Sequence, residues 1–322
     1  MNRLFILFCL VTTVSLAKAQ PFSKGQFSYL AKAEDSMKIQ ATLIVNGTSA
    51  LSRFKADSAF TKLLVRTLKT PHSFHYPFDS LESISRLYAP DSSFRIFTWQ
   101  LVVNENLCRQ HGAVQIKTND GSLKLFPLID KSDITTNISD TSADNTGWIG
   151  AVYYKIIQTK NGNQSYYTLL GYDENNIRST KKYIEVLRLN DGVPYFGGSL
   201  VSFEEDTAAK SPCSRYVMEF KKDAGARLTY DDDLKMIVAE HLQSETNEPK
   251  KKWTYIPDGD YEGFKWKNGR WVHIEKVFNQ ITPEGKAPVP KPIQDVQGDP
   301  MIDKLNPPPS TPAKKKGGGV KQ

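Results

Sequence analysis

Two histidines three positions apart are the residues of this chain that most resemble metal ligands. His72 and His75 form a His-x-x-His pair, and Asp79 or Glu82 could supply a third ligand. Helical zinc enzymes instead place their histidines four positions apart, with a general-base glutamate between them. Prolines flank the pair here, so the alternative is that both histidines are structural residues at or near the surface.

Acidic and aromatic residues are concentrated toward the C-terminal part of the chain. Asp258, Asp260 and Glu262 form the densest acidic group, and glycosidases use carboxylates in pairs. The nearby tryptophans are Trp253, Trp266 and Trp271. If these rings are coplanar and exposed, we expect a carbohydrate-binding surface; in the alternative they only pack within a sheet, as aromatic residues at every second strand position usually do.

Motifs for cofactor binding and for serine nucleophiles are absent. The chain has no Gly-x-Gly-x-x-Gly, no Walker loop and no Gly-x-Ser-x-Gly, the motifs that cradle phosphates or expose a catalytic serine. Cys108 and His111 could form a Cys–His dyad, but the sequence identifies no third residue to orient it. We therefore expect no cofactor and favour a protein that is not an enzyme.

The first twenty residues predict export. A basic start at Arg3 precedes an apolar run from Leu4 to Leu16, and Ala17-Lys18-Ala19 fits the pattern that signal peptidase cleaves. The run is shorter than a membrane span, which takes about 20 residues. We predict a signal peptide over residues 1–19, no transmembrane segment after its removal, and a periplasmic or extracellular location.

Export also bears on the cysteines. Once Cys9 is removed with the signal peptide, Cys108 and Cys213 remain. In an exported protein this pair permits one disulfide, and two separate buried thiols are the alternative.

The net charge of +7 is not evenly distributed along the chain. The signal peptide carries Arg3 and Lys18, and the tail from Lys286 has seven lysines against three aspartates. The stretch between them is almost neutral, with its basic and acidic residues interspersed. Because phosphate-binding surfaces need concentrated positive charge, we expect no nucleic-acid partner.

Two periodicities divide the mature chain. Apolar residues over 26–69 recur every three or four positions, with a stop at Asn46-Gly47 and a new start near Ser49, which predicts two helices joined by a short turn. A short helix is also predicted at 79–87. From Phe94 onward, runs of alternating residues are separated by Asn-Gly and Asp-Gly turns, the pattern of successive hairpins.

These patterns predict an α+β fold. We expect a helical N-terminal region at 20–90 and an antiparallel β-domain at 91–285, built as a large meander that forms a sandwich or a partial barrel. The segment 286–322 is rich in Pro, Lys and Gly and is predicted to be a disordered tail.

Two segments resemble a known group of sequences. The string TYIPDGDYEGFKWKNGRWVHIEKVF and the earlier FRIFTWQLV resemble uncharacterised exported proteins of the Bacteroidetes type over about residues 25–280. The resemblance implies an envelope location in a Gram-negative cell. No catalytic residue is assigned to that group, so none is transferred.

The expected function follows from these features. The leading interpretation is an exported cell-envelope or extracellular protein that acts by binding or scaffolding, with an envelope component or a glycan as partner. A secreted hydrolase, whose site assembles from distant residues, is the first alternative. A carbohydrate-binding module that uses the C-terminal tryptophans is the second.

Overall fold

A computed structural model describes residues 22–203 and 212–278. The signal peptide predicted at 1–19 and the tail predicted at 286–322 lie outside the described residues. The helices are α1 (Lys24–Asn46) and α2 (Ala50–Leu68). The strands are β1 (Ser85–Tyr88), β2 (Phe94–Asn104), β3 (Leu107–Ile116), β4 (Lys124–Ile129), β5 (Ala143–Asp144), β6 (Val152–Asn161), β7 (Gln164–Asp173), β8 (Ser179–Asn190), β9 (Val193–Phe196), β10 (Val201–Ser202), β11 (Arg215–Lys221), β12 (Leu228–Asp231), β13 (Met236–Ser244), β14 (Tyr255–Lys267) and β15 (Arg270–Ile274).

The two helices begin and end where the sequence predicts. Ser23 caps α1 in a reciprocal capping box with Gln26, and the Ser49 side chain caps α2. Gly47 ends α1, and its backbone N–H donates to the Leu43 carbonyl. Each helix buries one face, and both helices contact β2, so the hairpin covers one side of the first sheet.

The described strands form three sheets. The first sheet has the order β1-β2-β3-β4 and is antiparallel throughout. The second contains β5, β6, β7, β8, β9 and β11, and the third has the order β10-β15-β14-β13-β12. An α+β fold with two N-terminal helices followed by antiparallel sheets is therefore confirmed.

Tight turns set the hairpin registers. Asn268 and Gly269 both have positive φ between β14 and β15, as do Asp191 and Gly192 between β8 and β9. Two consecutive residues at positive φ are the signature of a primed turn, whose twist matches that of the flanking strands. The hairpins predicted from Asn-Gly and Asp-Gly are confirmed at both places.

Three local features differ from the expectations. No helix forms at 79–87, because the backbone of β1 within and next to this segment pairs with the edge of β2. β11 does not pair with β12: it returns to β8, on the edge that β9 occupies further along. β10 runs parallel to β15, an exception to the antiparallel pairing.

A buried arginine fixes the segment that follows α2. Arg95, on β2, is 1% exposed and donates to the backbone carbonyls of Ser73 and Tyr76, to the Gln115 amide oxygen and to the Tyr88 hydroxyl. Four aromatic rings surround its guanidinium, those of Phe74, Phe78, Tyr88 and Phe97. Burial lowers the pKa of Arg95 to about 10, so it remains protonated at neutral pH, with its hydrogen bonds made to neutral acceptors.

Within the described residues, neither helix combines the length and apolar character that crossing a bilayer requires.

Candidate functional site

A cleft with a volume of about 470 Å³ opens where the second and third sheets meet. Its wall on the second sheet comes from β8 and β11, and its wall on the third sheet comes from β13, β14 and β15. The polar and aromatic lining residues are Ser139, Lys181, Phe203, Tyr216, Glu219, His241, Lys252, Tyr255, Glu262 and His273. We call this space the cleft.

Glu262 lies at the centre of a hydrogen-bonded group in the cleft. Its Oε1 accepts a short hydrogen bond from the Tyr216 hydroxyl, and its Oε2 lies 2.9 Å from Nε2 of His273. The side chains of Glu262 and His273 are 13% and 7% exposed. Phe264, directly opposite His273 on the neighbouring strand, packs a ring against both His273 and Tyr216.

The electrostatics of this group follow from burial and contact. Burial acts to raise the pKa of Glu262, but the hydrogen bonds from His273 and Tyr216 outweigh it and hold the pKa below its ordinary value. Burial, with the nearby Glu262 charge, raises the pKa of Tyr216 well above its ordinary value. At neutral pH Glu262 is therefore ionised, and Tyr216 keeps the proton that it donates.

A second carboxylate–histidine pair reaches the cleft through His241, one of the lining residues. Oδ2 of Asp258 is 2.7 Å from Nδ1 of His241, whose side chain is 45% exposed. Burial acts to raise the pKa of Asp258, but the hydrogen bonds from His241 and from the backbone N–H of Asp260 keep it low. Because Nδ1 is engaged, Nε2 is the ring nitrogen that His241 can offer to another partner.

The remaining lining combines charges of both signs with ring surfaces. Lys181 and Lys252 contribute positive charge to the lining, and Glu219 contributes negative charge. The Glu219 carboxylate accepts a 2.5 Å hydrogen bond from the Ser179 hydroxyl. The Lys252 ammonium lies 4.2 Å from the centre of the Tyr255 ring. A cleft of this kind offers hydrogen-bond donors, acceptors and aromatic faces to one small polar molecule.

Glu262 and His241 have different roles in the cleft: Glu262 orients neighbouring side chains, and His241 can contact a ligand. Both oxygens of Glu262 accept from protein donors, so its carboxylate orients Tyr216 and His273 and is poorly placed to take a proton from a ligand. His241, more exposed and held by Asp258, is the ring in the cleft best placed to exchange a proton.

The three predicted tryptophans do not form a coplanar, exposed platform. Trp271 is 0% exposed, and its indole N–H donates to the Thr168 hydroxyl at 2.7 Å. Trp266 meets Trp271 at 67°, with 5.4 Å between ring centres, and donates to the Lys160 carbonyl. Trp253 is half-buried under the Arg178 guanidinium, 4.4 Å from its ring centre. Trp271 is therefore a core residue, because it packs in the apolar cluster formed by residues of the second and third sheets.

In the described residues, no third His, Cys, Asp or Glu side chain joins His72 and His75 in a metal-binding group. His72 adopts φ 62° at the end of the turn after α2, where its ring packs so closely on Gly121 that a Cβ there would clash with it. His75 is exposed; partial desolvation of its ring, together with the charge of Lys117, lowers its pKa. Among residues 22–203 and 212–278, no group of three or more His, Cys, Asp or Glu side chains is placed to hold a metal ion.

The cysteines are separate. No disulfide joins Cys108, on β3, to Cys213, whose backbone bridges Val201. Burial raises the pKa of Cys108 to about 11, the opposite of what a nucleophilic thiolate needs. His111 instead pairs with Asp57 on α2 at 2.8 Å, so the Cys–His dyad is not supported.

Sequence reasoning named Glu262 but missed Tyr216, His241 and His273. One signal was present: Glu262 and His273 occupy the same strand face as Phe264 and Trp271, so polar residues fall at core-facing positions of a predicted hairpin. Tyr216 and His241 come from strands whose pairing the sequence does not determine.

Comparison of the chain with protein-family models, with curated protein sequences and with solved structures finds no significant match in any of the three.

Proposed function

We propose that this chain is an exported protein of the cell envelope or exterior that binds a small hydroxyl-rich ligand, of the saccharide class, in the cleft. The observation that carries the proposal is the convergence of the Tyr216–Glu262–His273 group with the rings of Phe203 and Tyr255 around one cavity. Ionised carboxylates and imidazoles bind hydroxyl groups, and aromatic faces pack on the C–H surfaces of sugars.

The proposed saccharide site is the cleft and not a surface formed by Trp253, Trp266 and Trp271. Its rings belong to tyrosine and phenylalanine, and its polar groups carry both signs of charge, so a neutral polyol suits it better than a polyanion. Export is supported by the signal-peptide pattern of residues 1–19. Mass spectrometry of the protein recovered from fractionated cells is expected to find Gln20 as the first residue, outside the cytoplasm.

Calorimetric titration with soluble oligosaccharides tests the binding proposal. Tyr255→Ala is expected to weaken binding at least about fivefold, since a stacked ring contributes about 1 kcal/mol or more. Tyr195→Ala is the matched control, because Tyr195 is also a half-buried strand tyrosine with a cation, Arg188, over its ring, but it lies outside the cleft lining. Equal loss in both variants, or no binding of any saccharide by the unaltered protein, would contradict the proposal.

Hydrolysis in the same cleft is a second candidate, favoured by the His241–Asp258 pair. A carboxylate on one ring nitrogen holds a histidine in the tautomer that lets the other nitrogen act as a general base. Conversion of a bound oligosaccharide into smaller products, lost in His241→Asn, would establish this function. Binding of the oligosaccharide without its cleavage would show that the cleft binds saccharides but does not hydrolyse them.

A further inference from the structure

The helical hairpin exposes an unusual share of apolar surface. Of fourteen large hydrophobic side chains that are exposed in the described residues, eight lie on α1 and α2. They are Phe27, Tyr29, Ile39, Leu43, Val45, Leu51, Phe54 and Val65. Leu51 and Ile39 are 65% and 61% exposed, far more than a helix that covers a sheet needs to leave in water.

The exposed charges of the same helices are almost all positive. The exposed cations between residues 24 and 69 are Lys24, Lys32, Lys38, Lys55, Lys62, Arg66 and Lys69. Glu34 and Asp57 are buried in hydrogen bonds to Tyr76 and Trp99, so Asp35 is the acidic residue of α1 and α2 left exposed. This positive charge contrasts with the near neutrality of the chain between the signal peptide and the tail.

On α2 the two features share one face. Leu51, Phe54, Lys55, Ser58, Lys62, Val65, Arg66 and Lys69 recur at three- and four-residue spacing, and all are exposed. The opposite side of α2 is buried against α1 and β2. We call this exposed side of α2 the outer face of the hairpin.

We propose that the outer face docks on an anionic lipid bilayer surface. Its cations complement acidic headgroups, and its apolar side chains, interleaved with lysines, can enter the boundary between headgroups and acyl chains. A nucleic acid or another polyanion would use the cations and leave Leu51 and Phe54 in water, so the observations favour a lipid surface. The docking is independent of ligand binding in the cleft.

Co-sedimentation of the processed, full-length chain with vesicles tests this proposal. The unaltered protein is expected to bind vesicles of phosphatidylglycerol and phosphatidylethanolamine more strongly than vesicles of phosphatidylcholine. Lys62→Glu/Arg66→Glu is expected to weaken this binding about tenfold or more. Lys235→Glu/Lys265→Glu changes the net charge equally at two exposed sites, the turn between β12 and β13 and strand β14, and is expected to weaken the binding less than about twofold.

A variant of the apolar residues completes the test. Leu51→Ser/Phe54→Ser keeps every charge and is expected to lose most of the vesicle binding while its thermal midpoint falls only slightly, because the Leu51 and Phe54 side chains are 65% and 40% exposed. Three results would overturn the proposal. The first is equal vesicle binding by the two charge variants, which would attribute the binding to the lysine-rich tail that both variants retain. The second is unchanged binding by the apolar variant, as for a polyanion site. The third is a vesicle-free dimer that this variant converts to a monomer, which would identify a second copy as the occupant.

Discussion

Two carboxylates in this protein have similar partners and very different surroundings. Glu185, on β8, is 0% exposed and accepts short hydrogen bonds from the Tyr153 hydroxyl and the Arg215 guanidinium. Glu262, on β14, likewise accepts from a tyrosine and from a basic side chain, but it lines the cleft. The chemistry is nearly the same, so exposure to the cleft is what distinguishes the two groups.

The buried group supports the exposed one. Arg215 also donates from its side chain to the Ile138 carbonyl and from its backbone N–H to the Ser139 carbonyl. Ile138 and Ser139 both line the cleft. The ion pair of Glu185 and Arg215 therefore holds part of the cleft wall in place, while the Glu262 group faces what enters the cleft. Both carboxylates therefore act by positioning: Glu185 holds backbone of the cleft wall through Arg215, and Glu262 orients the Tyr216 and His273 side chains that line the cleft.

Removing one member of the buried pair is expected to have the largest effect. Arg215→Leu removes the cation that pairs with the buried Glu185 carboxyl, so the free energy of unfolding should fall by about 3–5 kcal/mol. Urea denaturation measures this loss. The double variant Arg215→Leu/Glu185→Leu is expected to recover much of it, because no unpaired charge remains. A loss below about 1 kcal/mol in the single variant would show that the pair does not stabilise the second sheet.

At the cleft, Glu262→Gln is expected to lower the free energy of unfolding less than Arg215→Leu does. The amide can accept from Tyr216 or from His273 but not from both, so the free energy of unfolding should fall by about 1–2 kcal/mol. Asp91→Asn is the matched control for saccharide binding, because Asp91 also accepts from a tyrosine, Tyr167, outside the cleft lining. Ligand binding should be lost in the first variant and retained in the second; equal binding by both would contradict the assignment of the cleft.

The pH dependence of stability should reflect the same contacts. Since the folded-state pKa of Glu262 is lowered, its stabilising contribution is present above the pKa of the unfolded chain, about 4.3, and is lost as pH falls through the folded-state value. The difference in unfolding free energy between the unaltered protein and Glu262→Gln should therefore shrink from about pH 6 toward about pH 3. A constant difference over this range would contradict the ionised state assigned to Glu262.

His241→Asn is expected to have the smallest effect on stability. The His241–Asp258 pair is partly exposed, and such pairs contribute at most about 1 kcal/mol. The thermal midpoint should change little, while saccharide binding or turnover in the cleft should change measurably. A large loss of stability would indicate that this pair supports the fold in the way that the Glu185 pair does.

Local signals in the sequence were sufficient for the helices and the hairpins. Ser49 and Gly47 mark helix ends because caps depend on one or two residues, and Asn268-Gly269 marks a turn because positive φ does. The pairing of β11 with β8 and of β10 with β15 joins strands far apart in the chain, and no local pattern encodes it. The cleft depends on those pairings, so only Glu262 of its central group could be named beforehand.

The tryptophans illustrate a second limit. Alternation in β14 and β15 shows that Trp266 and Trp271 share a face, but both faces of these strands carry large residues. Which face is covered depends on the neighbouring sheet, so the burial of Trp271 could not be predicted from the spacing.

The neutral acceptors of Arg95 have a consequence for how the helices behave in salt. Dissolved ions weaken attraction between opposite charges near the surface, yet no carboxylate is among the hydrogen-bond partners of this guanidinium in the described residues. Concentrated salt should therefore weaken the attraction of the outer face to acidic headgroups without loosening the segment that Arg95 fixes on the first sheet. The charge-dependent part of any attachment to a surface would then be reversible, while the turn that follows α2 keeps its conformation.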